Sequence, residues 1–139
     1  MLFVLYRYSQ DFISQLEGGG AAAELHIKRT MPFGDPNTRH QAAIEQLKSG
    51  VLKPAATVDC NPDELFRVTN NIDAPWVEND EVLMFDDNAV LSSTSVGDVI
   101  KAGDGNFYMV ESTGYSPLNI DDLNGQSYPL PNKPLLLGK

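Results

Sequence analysis

The sequence predicts an α+β domain, a small mixed or antiparallel sheet with two to three short helices packed on it and an extended C-terminal tail. Strand-like runs at 2–8, 24–29, 53–59, 81–85 and 107–112 alternate with shorter stretches of helical spacing. Clusters of Gly, Asn, Asp and Pro punctuate them. After Leu118 the periodicity stops and prolines appear at 129, 131 and 134. The 139 residues fit one core, so residues 1–128 are expected to form a single domain and 129–139 an extended or mobile tail.

Each element has a local reason. Residues 2–8 are aliphatic and aromatic, which suits a pleated, partly buried strand. Ser9 is a cap for a short helix over 10–17, with Phe12, Ile13 and Leu16 on one face and Gly18-Gly19-Gly20 at its end. Leu25 and Ile27 alternate with His26 and Lys28, the pattern of a half-exposed strand. A second helix, capped by Asn37 or Thr38, carries Ala42, Ala43, Ile44 and Leu47 and stops at Ser49-Gly50. Residues 53–59 read as a strand. Asn61-Pro62-Asp63-Glu64 then combines a cap, a first-turn proline and acids that suit the positive end of a helix dipole. Val96, Val99 and Ile100 are expected on a short helical turn that starts at Thr94 or Ser95, with Asp98 reaching back to Ser95. Residues 102–106 are a turn, and 107–112 a strand.

Charge divides the chain. Between Asp59 and Asp122 there are fourteen acids against Arg67 and Lys101, whereas residues 1–58 carry five acids and six bases. An acidic half repels a phosphate backbone, so direct nucleic-acid binding is disfavoured and a basic protein is the complementary partner. No stretch approaches the roughly 20 apolar residues of a membrane span, and no secretory signal pattern opens the sequence. With Cys60 as the single cysteine, the expected compartment is the cytoplasm and no internal disulfide forms.

Motifs of catalysis and cofactor binding are sparse. The triple glycine lacks the spacing of a phosphate loop and reads as a turn. His26, His40 and Cys60 are too dispersed for a zinc site, and neither metal nor cofactor is expected. Asp86 and Asp87, like Asp121 and Asp122, read as solvated turn acids, and Ser92, Ser93, Thr94 and Ser95 as turn and cap formers. Cys60 reads as an inert thiol, although its place before a helix would favour a thiolate. A small enzyme or ligand site near Cys60, Asn70, Asp73 and Ser95 is therefore the competing expectation. A homo-oligomer that buries Leu135, Leu136 and Leu137 on a neighbour is a third. Trp76 either seals the edge of the core or, if exposed, anchors a partner together with Glu78, Asp80, Glu81, Asp86 and Asp87.

The run Leu91-Ser92-Ser93-Thr94-Ser95-Val96-Gly97-Asp98-Val99-Ile100, a glycine turn, Phe107-Tyr108-Met109-Val110 and Gly114-Tyr115 resembles the small YodL-like domains of phages, plasmids and integrative elements. Upstream, Glu64-Leu65-Phe66-Arg67-Val68-Thr69-Asn70 and Trp76 are similar to the segment before that motif in phage-type members. The resemblance covers residues 54–118. It implies a mobile-element accessory protein of small α+β design and carries no enzymatic activity over. Combined with the charge, the expectation is a non-enzymatic acidic interaction module, an inhibitor of a host nucleic-acid-binding or defence protein being one concrete form.

Overall fold

The computed structural model describes residues 1–31, 34–72 and 74–120. The expected tail and Leu135 to Leu137 lie outside the described residues, as does Asp73. Six strands form one antiparallel sheet: β1 (Leu2–Arg7), β2 (Lys53–Asp59), β3 (Val82–Phe85), β4 (Val99–Ala102), β5 (Phe107–Val110) and β6 (Tyr115–Leu118), in the order β3-β2-β1-β4-β5-β6. The helices are α1 (Ile13–Glu17), α2 (Gly20–Thr30), α3 (Pro36–Ser49) and α4 (Leu65–Val68), with 3₁₀ turns at Gln10–Phe12, Pro62–Glu64 and Trp76–Glu78. This is the α+β class that the sequence predicts.

Both faces of the sheet are covered. Tyr6, Val99 and Met109 point to one side and pack with Phe12, Ala43 and Leu47 from the first turn and α3. Phe3, Leu5, Val58, Ile100 and Val110 point to the other and meet Leu65 and Val68 of α4 and Trp76. Successive residues of β1 thus enter opposite cores, which is why its sequence is apolar from Leu2 to Tyr6 rather than alternating. Each large aliphatic side chain so buried contributes about 1.5–3 kcal/mol.

Several elements depart from the sequence-based expectation. Residues 24–29 belong to helix α2, not a strand. The inward positions Ala22, His26 and Arg29 follow helical spacing, but two of them are polar, while the apolar Ile27 is 54% exposed. Polarity therefore masked the period, and the Glu24–Lys28 ion pair at 3.2 Å marks the outer face. The triple glycine joins two helices. At the next helix the cap is Asp35, whose carboxylate accepts the Thr38 N–H at 3.0 Å, with Pro36 in the first turn; Asn37 and Thr38 lie inside the helix.

The helical turn expected around Val96 is absent. Val99 and Ile100 instead lie in the central strand β4, one in each core, since adjacent apolar residues suit a strand buried on two sides as well as a helix face. The Asp98 to Ser95 contact does form, the carboxylate accepting the Ser95 N–H at 2.8 Å, but it closes a turn. At Gly97, with φ of +94°, a Cβ would stand 2.9 Å from the Arg29 carbonyl oxygen and 3.0 Å from the Thr30 Cα. Only glycine lets α2 approach this turn so closely. Strand β6 carries Pro117, which an edge strand tolerates because, among the described residues, one side of it has no ladder to supply.

Candidate interaction surface

The acids singled out from the sequence frame strand β3. Glu78 closes the 3₁₀ turn that leads into it, and Asp80 and Glu81 stand at its start. Asp86 and Asp87 stand at its end. Glu78, Asp80 and Asp87 are exposed, while Glu81 and Asp86 are half-buried. The backbone fixes both ends: Asp59 N–H donates to the Glu81 carbonyl at 2.8 Å, and Asp86 N–H donates to the Ala55 carbonyl at 2.7 Å. The exposed Asp59 stands beside Glu81, its carboxylate paired with the N-terminal amine of Met1 at 3.1 Å. A four-residue strand spans about 13 Å, so two acidic groups flank one short edge.

Trp76 does not belong to this surface. It is 1% exposed, and its Nε1–H donates to the carbonyls of Leu91 and Ser92 at 3.0 and 3.1 Å. The ring seals the core beneath the segment before β4, the first of the two roles open to it in the sequence, and so buried it offers no face to a partner. Near it an open apolar groove of about 460 Å³ is lined by Ile72, Ala74, Pro75, Val77 and Leu91 together with Asn71 and the Trp76 edge.

Of the alternative site, Cys60 and Ser95 are held apart, and Asp73 lies outside the described residues. Cys60 follows β2 at the Leu2 end of β1, where its N–H donates to the Met1 carbonyl. Ser95 lies with Asp98 at the Arg7 end. The length of β1, about 17 Å, separates them. Burial pushes the Cys60 thiol up, and the nearby Glu64 adds to that, so the group is held in the unreactive protonated form.

What sequence reading missed is a set of buried arginines. Arg29, on α2, is 4% exposed. Its Nε donates to Gln46 Oε1 at 2.7 Å, Nη1 to the Gly97 carbonyl at 2.8 Å and Nη2 to the Tyr8 hydroxyl at 3.0 Å. Arg7, on β1, is 6% exposed and donates to the Ser92 carbonyl at 2.8 Å and Thr94 Oγ1 at 2.7 Å. Asp98 serves both, 3.4 Å from Arg7 Nη2 and 3.9 Å from Arg29 Nη1. Burial pulls Arg7 below its usual range and Asp98 opposes that. Arg39, also buried, pairs with Glu111 at 2.7 Å. The Ser116 hydroxyl donates to the other oxygen of Glu111 and lies 2.9 Å from His40 Nε2. Here serine sits between histidine and glutamate, and its O–H donates to the carboxylate. A catalytic triad needs the histidine in the middle; this arrangement ties α3 to the last hairpin. Arginines on amphipathic segments give no sequence signal of such burial.

The Tyr8 oxygen accepts from Arg29 and from Gln46 Nε2, so its own proton goes to His26 Nδ1 at 2.9 Å. His26 is then neutral, with Nδ1 as acceptor. Burial lowers its pKa, Arg29 lowers it further and Asp98 opposes. Well above the ordinary value of about 6.5 the ring is neutral in both folded and unfolded chains. Below that, the unfolded chain takes up a proton that the folded one resists, so stability falls as the pH drops from about 7 towards 5. Urea denaturation at pH 7, 6 and 5 is expected to show a modest fall in midpoint, shallower in His26→Asn, because the ring is partly open to water.

The chain matches no family model, no curated protein and no solved structure. Among the described residues no helix is long and apolar enough to cross a membrane.

Proposed function

We propose that the chain is a non-enzymatic, acidic protein-interaction module, an accessory protein of a phage or mobile element, whose second half docks on the basic surface of a nucleic-acid-binding or defence protein. The observation that carries this reading is the internal use of the arginines. Arg7, Arg29 and Arg39 are buried with Asp98 and Glu111, and leaving out these five charges takes the whole-chain value from −9 to −10. The interior thus takes up three cations and two acids, and the acid excess is left to the outside. Carboxylates on both ends of β3 then imitate the spaced charges of a phosphate lattice, which a nucleic-acid-binding protein already attracts. The YodL-like resemblance supplies the phage or mobile-element setting.

Neutralising Asp80→Asn, Glu81→Gln, Asp86→Asn and Asp87→Asn together tests it. Each exposed charge contributes up to about 1 kcal/mol to such a contact, so capture of basic nucleic-acid-binding proteins from host lysate is expected to fall roughly tenfold or more. Circular dichroism should be unchanged, since Asp80 and Asp87 are exposed and the half-buried Glu81 and Asp86 are replaced by amides of the same shape. Equal recovery by the variant and the parent chain would contradict the reading.

A further inference from the structure

Strand β3 is an end strand of the sheet, and among the described residues it has a hydrogen-bonded neighbour on one side only. The bond from Asp86 N–H to the Ala55 carbonyl sets the phase of the β2–β3 ladder. In an antiparallel ladder the groups facing the partner recur at every second residue, so Met84, opposite Thr57, faces β2. The backbone N–H and C=O of Phe85, between Met84 and Asp86, therefore point away from the sheet, as does the Leu83 carbonyl across the trans peptide from the Met84 N–H. Leu83 is also 43% exposed. Its position coincides with a bulge, since Val58 pairs with Val82 and Thr57 with Met84, leaving Leu83 as the extra residue.

We infer that this edge receives an extended basic segment of the partner protein as an added strand, paired through the outward backbone groups of Leu83 and Phe85. The inference rests on the acidic-module reading and names its mode of contact. Charge complementarity decides the occupant. An added strand of three or four residues with Lys or Arg at both ends places one cation near Asp80 and Glu81 and another near Asp86 and Asp87. A second copy of this chain is excluded by the same groups: two β3 edges paired antiparallel would set Asp80 and Glu81 of one against Asp86 and Asp87 of the other. Acids at the ends of an edge strand guard it against self-pairing and leave it open to the opposite charge. Main-chain bonds supply affinity in such strand addition, and the flanking side chains supply selectivity.

The test titrates the full chain with a peptide of sequence Lys-Arg-Val-Thr-Val-Lys-Arg, against the same peptide N-methylated at alternate residues, which keeps the charge and removes the outward pairing. The unmodified peptide is expected to slow hydrogen exchange at the Phe85 amide at least tenfold and to shift the Leu83 and Phe85 resonances. The methylated peptide is expected to bind at least tenfold more weakly, and Leu83→Lys, a change at an exposed position, to weaken the unmodified peptide similarly while keeping the fold. Equal binding of the two peptides, or protection confined to other strands, overturns strand addition and leaves the acidic-module reading standing. Absence of binding by either peptide at low salt overturns both. A concentration-dependent dimer protected at Phe85 by light scattering and exchange overturns the choice of occupant.

Discussion

Replacing Asp98 by alanine is expected to cost about 3–5 kcal/mol of stability, a large share of the 5–15 kcal/mol that holds a domain of this size together. Two guanidinium groups, both more than nine-tenths buried, converge on this one carboxylate. Losing it leaves two like charges with each other's repulsion and only neutral acceptors around them. The Asp98→Asn variant separates charge from hydrogen bonding. Its amide oxygen keeps an acceptor for the Ser95 N–H, which Asp98 Oδ2 receives at 2.8 Å, so a loss close to that of alanine assigns the effect to charge. Urea denaturation followed by circular dichroism measures both. A change below about 1 kcal/mol in each would mean that Ser92, Thr94, Gln46 and Gly97 satisfy the arginines without a counter-ion.

Trp76→Ala is expected to lose about 3–5 kcal/mol, the range for removing a large buried aromatic side chain. The ring lies in one core with Phe3, Leu5, Leu65 and Val68. Its N–H also bridges the Leu91 and Ser92 carbonyls, and the Ser92 carbonyl in turn accepts from Arg7. Truncation therefore opens a cavity and loosens the segment that holds the arginine pair. Trp76→Phe keeps an aromatic ring but removes the N–H together with part of the indole volume, for an expected loss of about 1–3 kcal/mol. If alanine and phenylalanine cost the same, packing contributes little and the bridging N–H carries the effect.

These two residues also show what the sequence made legible and what it hid. Strands β1, β2, β3 and β5 announce themselves because their apolar residues carry strand propensity and are bounded by turn formers. The acids that frame β3 were read directly, since charge in a turn needs no tertiary context. Helix α2 was hidden because its inward face contains His26 and Arg29, which a hydrophobic period does not count. Strand β4 was hidden because Val99 and Ile100, adjacent in sequence, serve opposite cores. Asp98 was visible as a local cap of Ser95, and that local bond exists. Its larger role depends on Arg7 and Arg29, 91 and 69 residues upstream in the chain, a convergence that local patterning does not encode. Trp76 stood open between core and surface until its burial was known.

The same folding decision links the interior to the surface: three arginines and two acids go inside, and the acid excess, larger by one charge, stays outside. The most direct measurement of that account is affinity capture from host lysate at 50 and 500 mM salt, with duplex DNA added as competitor to the bound fraction. Screening reaches about 10 Å at 0.1 M and shortens as salt rises, so the account predicts a basic nucleic-acid-binding protein that is held at low salt, lost at high salt and displaced by DNA. A partner retained at high salt and indifferent to DNA would contradict it.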